Sequence, residues 1–305
     1  MNPLTMLSTQ FVLFVCLGIG FFLGKKGIIS DNGRKEITDL VLDVMLPASI
    51  IAAFMQVKFS KELMHQSVQM LIVAAGLQIA SIFLGKLLFP RSRVSEEDRK
   101  IFRYSMINTN ASFVALPILN SLMGSIGTVL TSIALIPIRI SLWTVGIAIF
   151  IDEKDTAKRI KTVALNTNMV ACYIGIILML LPVEYPNFLI KAISTVGSGT
   201  TFISMMIVGY VISKLKLKHF LHFSVLYYCL LRLIVIPLAL LAVLKVLHAD
   251  EAVTATAVII AGVPAGSFTA MMAAKYHGNE VLAGQVVFTS TLFSLVTLPI
   301  LCLLF

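Results

Sequence analysis

Charge is what this sequence has least of. Only 13% of its 305 residues are Asp, Glu, Lys or Arg, while 58% are hydrophobic and the mean hydropathy is +0.95. Soluble domains carry about 25% charged residues, so 24 basic and 15 acidic side chains cannot clothe a soluble core of this length. That shortage excludes a soluble enzyme or binding module and leaves a polytopic membrane protein, whose outer surface meets lipid. Histidine is scarce as well. The five histidines fall in loops or at the ends of apolar runs, so an intramembrane enzyme would have no base beside its serines and threonines. Cysteine is limited to Cys16, Cys172, Cys229 and Cys302, all inside apolar stretches and without CxxC spacing. They read as small hydrophobes, not as disulfides or metal ligands. His219 and His222 form an HxxH with no acid nearby, so neither a metal nor a cofactor is expected.

Length sets a second exclusion. A spanning helix takes about 20 residues and a short loop about 10, so the chain holds about ten crossings. No room remains for a soluble domain of about 100 residues, which argues against a sensor kinase or an ATP-driven pump with its own nucleotide domain. The net charge of +9 would suggest nucleic acid in a soluble chain. In a membrane protein it reflects basic cytoplasmic loops, and no nucleic-acid partner is expected.

Apolar runs fall at about 7–24, 37–56, 63–89, 101–122, 125–151, 165–182, 187–212, 220–247, 251–275 and 281–305. The first has no basic residue before it and Lys25-Lys26 after it, the reverse of a signal peptide, so it reads as a retained span. Loops after odd-numbered spans hold eighteen basic residues, those after even-numbered spans only Lys58, Lys61, Lys191 and Lys245. By the positive-inside rule both termini are expected outside the cytoplasmic membrane. The basic stretch 152–164 lies near the midpoint and divides the chain into five-span units, 1–151 and 165–305. An odd number of spans per unit implies opposite orientations, the arithmetic of the inverted repeats of secondary transporters. The expected fold is therefore all-α, with ten transmembrane helices in two inverted five-helix repeats.

What polarity there is at membrane depth is concentrated. Span four holds Asn108, Thr109, Asn110, Ser112 and Pro117; span nine holds Gly262, Pro264, Gly266, Ser267 and Thr269. Polar groups there are costly unless they line a cavity or find partners. Proline removes a backbone donor and glycine loosens the helix, so both spans are expected to break near Pro117 and Pro264. Paired interruptions in the two halves are a sequence pointer to a transport site, and half-helix N-termini with neutral amides suit a carboxylate. Arg139 and Arg232 lie within spans, each near a proline, Pro137 and Pro237. An arginine there either forks onto a substrate carboxylate or satisfies carbonyls freed by the proline. Asp39 and Asp43 share a helix face; Asp43, the deeper, is the candidate for coupling to an ion.

Several of these segments together carry a resemblance. Asn110-Ala-Ser-Phe-Val-Ala-Leu-Pro117-Ile-Leu followed by Met123-Gly124, Ala261-Gly-Val-Pro264-Ala-Gly266 with Ala274-Lys275-Tyr276, and the C-terminal Ser290-Thr-Leu-Phe-Ser-Leu-Val-Thr-Leu-Pro299 resemble the auxin efflux carrier family. Asn166-Thr-Asn168 occupies that family's usual Asn-Pro position, with Thr in place of the proline. The resemblance implies a scaffold and a transport domain, with spans four and nine crossing at their broken midpoints beside the substrate. It carries Asn110, Pro117 and Pro264 over as crossover residues and Asn110 as a substrate contact. Members with a short central loop, as here, imply a small carboxylate such as malonate or malate.

The expected function is alternating-access transport of a small organic anion. Asn108, Asn110, Ser112, Pro117, Pro264, Gly266, Ser267, Arg139 and Arg232 form the expected substrate site. Coupling to H⁺ or Na⁺ and assembly into a homodimer stay open. The rival is a cation/proton antiporter on a similar fold, which would need paired acids deep beside the crossing helices; spans four, five, nine and ten have none before their ends.

Overall fold

The computed structural model describes residues 3–56, 64–90, 94–151, 161, 164–181, 183, 185–213 and 222–305. The central linker 152–164 lies almost wholly outside the described residues, as do His219 and the basic residues Lys58, Lys61, Arg91, Arg93, Lys214, Lys216 and Lys218. Among the described residues every regular element is helical. In the first half these are α1 (Pro3–Lys25), α2 (Asp31–Leu40), α3 (Leu46–Met55), α4 (Met64–Leu88), α5 (Glu96–Ile107), α6 (Leu116–Ser141) and α7 (Ile147–Phe150). The second half contributes α8 (Thr167–Leu180), α9 (Asn187–Ser198), α10 (Thr200–Ser213), α11 (Phe223–Leu230), α12 (Ile236–Val246), α13 (Glu251–Gly262), α14 (Phe268–Lys275) and α15 (Glu280–Cys302).

Five helical stretches are long and apolar enough to cross a membrane: Met64–Leu88, Ile126–Phe150, Asn187–Ser213, Phe223–Val246 and Glu280–Cys302. Phe14–Lys25, Thr167–Leu178 and Glu251–Gly262 are shorter apolar helices. Ile72, Ile79, Phe83 and Leu87 of α4 stand exposed, an apolar face that fits lipid and not water.

Prolines shape these helices in a way their positions alone do not announce. Wide π-helical turns at Val41–Met45, Ala111–Ala115 and Leu231–Val235 each end just before an α-helix whose second residue is proline: Pro47, Pro117 or Pro237. A proline ring clashes with the carbonyl four residues earlier and offers it no N–H; here that carbonyl falls in the middle of the wide turn. The extra residue in the turn absorbs the clash without ending the helix.

Pro117 therefore does not break its helix, contrary to the sequence expectation. The break comes earlier, at Asn108–Asn110, between α5 and the wide turn Ala111–Ala115. Asn and Thr side chains compete for backbone hydrogen bonds and favour such exits. The second break does fall at Pro264, between the end of α13 at Gly262 and the start of α14 at Phe268. Helix α6 also bends at Gly124, whose φ of 59° and ψ of −135° are open only to glycine.

Two further joints hold the frame. Helices α1 and α10 meet backbone to backbone: a Cβ on Gly20 would collide with the Met206 carbonyl, and one on Gly209 with the Leu17 carbonyl. Small residues permit this closeness in helices that lipid does not push together. Helix α8 starts at the N-cap Asn166, whose side chain accepts from the Asn168 N–H. Asn168 in turn donates through Nδ2 to the Leu42 carbonyl at 2.9 Å, tying α8 to the wide turn after α2.

Candidate functional site

The two breaks meet. Thr109 and Ala265 form an isolated antiparallel bridge, in which the Asn110 N–H donates to the Pro264 carbonyl and the Gly266 N–H to the Asn108 carbonyl, both at 3.0 Å. Backbone groups that leave a helix in an apolar interior must find partners elsewhere. Here each broken segment supplies them to the other. The Asn108 side chain completes the joint, with Nδ2 donating to the Gly266 carbonyl and to Thr269 Oγ1, each at 3.0 Å. A Cβ on Gly266 would run into the Asn108 amide. Any side chain there must displace that amide.

Neighbouring helices clamp the second break. Ser290 Oγ of α15 accepts from the Ala265 N–H at 3.1 Å, and Ser267 Oγ donates to Ser204 Oγ of α10 at 2.9 Å. The residues 108–110 and 264–267 are thus held by side chains of α10, α14 and α15 as well as by each other, and all of their side chains are buried.

A cavity of about 40 Å³ lies beside this crossover, lined by Asn108 and Thr109 from the first break, Ser112 from the wide turn after it, Arg139 of α6, Trp143 just beyond α6, and Ser49 from α3. It has room for no more than a few waters and is smaller than an organic acid. Arg139 lies with its Cζ 5.8 Å from the Phe54 ring centroid, a cation–π contact worth more away from water. No acid among the described residues pairs with Arg139. Thr109 Oγ1 and Asn110 Nδ2 are buried without a hydrogen-bond partner. Uncompensated buried donors of this kind cost free energy unless something else satisfies them.

Of the residues expected at the site, the structure brings together Asn108, Asn110, Ser112, Arg139, Pro264, Gly266 and Ser267. Pro117 starts the helix beyond the wide turn. Arg232 lies elsewhere. It is wholly buried and its Nη2 donates to the Ile260 carbonyl at 3.4 Å, with Nε and Nη1 unpartnered. In an unbroken helix that carbonyl would accept from residue 264, but residue 264 is proline. Arg232 thus fills the place of the missing donor, near the negative end of the α13 dipole. The Ile260 carbonyl is left free by Pro264, in the break just after α13, and not by the nearby Pro237.

Asp43 also sits apart from the cavity. Both its carboxylate oxygens accept from Lys275 Nζ at 2.8 Å, so its partner is a lysine at the end of α14. Asp39 is 3.9 Å from the same nitrogen. Thr109, Thr269, Ser49, Trp143, Ser204 and Ser290 were not among the expected site residues. Thr109 carried a usable signal, standing between the two chosen asparagines. Ser204 is an isolated serine in an apolar helix and nothing local marks it, whereas Ser290 stands between Thr289 and Thr291 in the C-terminal segment that carries the family resemblance.

An all-helical membrane chain whose two interrupted helices meet at a buried polar crossover belongs to the architecture of membrane carriers. This chain is a member of the family described as "Membrane transport protein", the auxin efflux carrier family, whose model it matches over residues 5–302. No curated protein matches the chain.

Proposed function

We propose that the protein is a secondary active transporter of a small organic anion, a mono- or dicarboxylate such as malonate or malate, working by alternating access in the cytoplasmic membrane. In this reading ten spans form two inverted five-helix repeats, 1–151 and 165–305, joined by the linker 152–164, with both termini outside. The observation that carries it is Arg139 in the cavity beside the crossover, without an acidic partner among the described residues. A fixed guanidinium at membrane depth favours an anion and repels a metal cation. Thr109 Oγ1 and Asn110 Nδ2, buried and unpartnered nearby, supply neutral donors that hold a carboxylate without a second full charge. Such a site binds weakly enough to release.

A cavity of about 40 Å³ must enlarge to admit even a small dicarboxylate. Movement of α3 against the crossover does this, because α3 contributes Ser49 to the lining, and the crossover and α6 contribute Asn108 and Arg139. Coupling to H⁺ or Na⁺ would add directionality to that movement.

The test is uptake of radiolabelled malonate, malate, citrate and indole acetate into proteoliposomes, with Na⁺ and pH gradients varied independently. The proposal expects saturable uptake of at least one carboxylate. Na⁺/H⁺ exchange without uptake of any of them would overturn it.

A further inference from the structure

We propose that the Asp43–Lys275 ion pair, backed by Arg34–Glu280, is a latch that closes the cytoplasmic side of the anion pathway in this conformation. The inference rests on the alternating-access reading and names the contact that must open on one side of it.

The same two segments wall two cavities in succession. Thr38 and Asp39 of α2 line a cavity of about 170 Å³ with Ala274, Lys275 and His277, at the end of α14 and just beyond it. Farther along both segments, Leu46, Ser49 and Phe268 line the cavity beside the crossover. Asp43 lies between the two stretches of the first segment. Lys275, on the facing segment, reaches its carboxylate with 2.8 Å contacts to both oxygens. Leu42, Met271 and Met272, at most 1% exposed, belong to the apolar cluster that fills this part of the protein. Arg34 of α2 meets Glu280 of α15 at 3.0 Å, so a second bridge fastens the helix just before Asp43 to the element just after Lys275. Arg34 and Lys35 of α2 and Lys275 at the end of α14 are among the basic residues whose bias assigns this side to the cytoplasm.

The strength of the contact suits a latch. The Asp43 and Lys275 side chains are 43% and 25% exposed, and ion pairs with that much water contribute little. Such a pair biases an equilibrium without locking it. Its loss is expected to shift the balance toward the cytoplasm-open form by about fivefold.

The experiment reads cavity access without any substrate. In a protein with Cys16, Cys172, Cys229 and Cys302 changed to Ala, Ser49→Cys is labelled by a membrane-impermeant maleimide applied to the cytoplasmic face of inside-out vesicles. Asp43→Asn and Lys275→Gln should each speed labelling about fivefold, and the exchange of Asp43→Lys with Lys275→Asp should return it to the parental rate. Lys275→Arg, which keeps the charge, should label at the parental rate and shows that position 275 tolerates substitution. Unchanged rates in both single variants overturn the latch, as does acceleration only from the opposite face or a Lys275→Arg rate matching Lys275→Gln. Failure of carboxylate uptake would count against the substrate and leave this result standing.

Discussion

Asn108 and Gly266 exchange two hydrogen bonds across the crossover: the Gly266 N–H donates to the Asn108 carbonyl, and Asn108 Nδ2 donates to the Gly266 carbonyl, both at 3.0 Å. This reciprocal pair lets two helices stop inside an apolar interior without leaving these backbone groups bare. Gly266→Ala places a methyl group against the Asn108 amide. Overpacking costs about 1–3 kcal/mol, and displaced buried donors add to it. The variant should melt several degrees below wild type in detergent, and Asn108→Ala should show a similar loss. A melting temperature unchanged in both would mean that the crossover does not depend on this joint.

Arg139 and Arg232 should separate into two kinds of defect. Arg139 lines the cavity, so Arg139→Met should reduce uptake at least tenfold while leaving the melting temperature within a few degrees. Deleting a charge-assisted bond of about 1.5–3 kcal/mol to a bound carboxylate produces a loss of that size. Arg139→Lys should restore only part of the rate, because an ammonium lacks the planar fork.

For Arg232 the expectation is reversed. Arg232→Met keeps the bulk and deletes the donor to the Ile260 carbonyl, leaving a buried acceptor unpaired at a cost of about 1–3 kcal/mol. Relief of an unpaired buried charge works against this loss, and its size decides where in that range the result falls. Thermal unfolding should move down while uptake per folded molecule changes less than threefold. A large loss of uptake with unchanged unfolding would return Arg232 to the substrate site.

The other end of α13 carries a pH dependence. Burial raises the Asp250 carboxyl, but hydrogen bonds from Gln66, Val253 and Ala252, with His65 nearby, outweigh it and hold the group below the ordinary carboxylate range. A group depressed in the folded state stabilises above its unfolded value of about 3.9 and loses that contribution as pH falls through the folded value. The melting temperature should therefore drop below pH 4 in wild type, and drop less in Asp250→Asn. Equal profiles would detach Asp250 from acid stability. At neutral pH, Asp250→Ala should cost about 1 kcal/mol as a lost N-cap.

How much of this could be read from the residues depended on range. The Asn108-Thr109-Asn110 run announced itself, because three consecutive polar residues in an apolar span need partners. Pro264 also marked its own break. Pro117 misled, since a proline two residues past a wide turn is tolerated, and the width of a turn depends on how the chain packs. The role of Arg232 was out of reach for another reason. Its acceptor is freed by a proline in the break after a different helix, a pairing of 232 with 260 that no local pattern encodes. Lys275 likewise read as one more basic loop residue, and only the approach of α2 to α14 makes it the partner of Asp43.

Binding to the crossover cavity is the central claim, and equilibrium binding tests it without the complications of reconstitution. Labelled malonate or malate should bind the purified protein saturably, and Asn110→Ala and Arg139→Met should each lower the affinity at least tenfold at unchanged expression and melting temperature. Equal affinity in wild type and both variants would contradict the account and move the substrate away from the crossover.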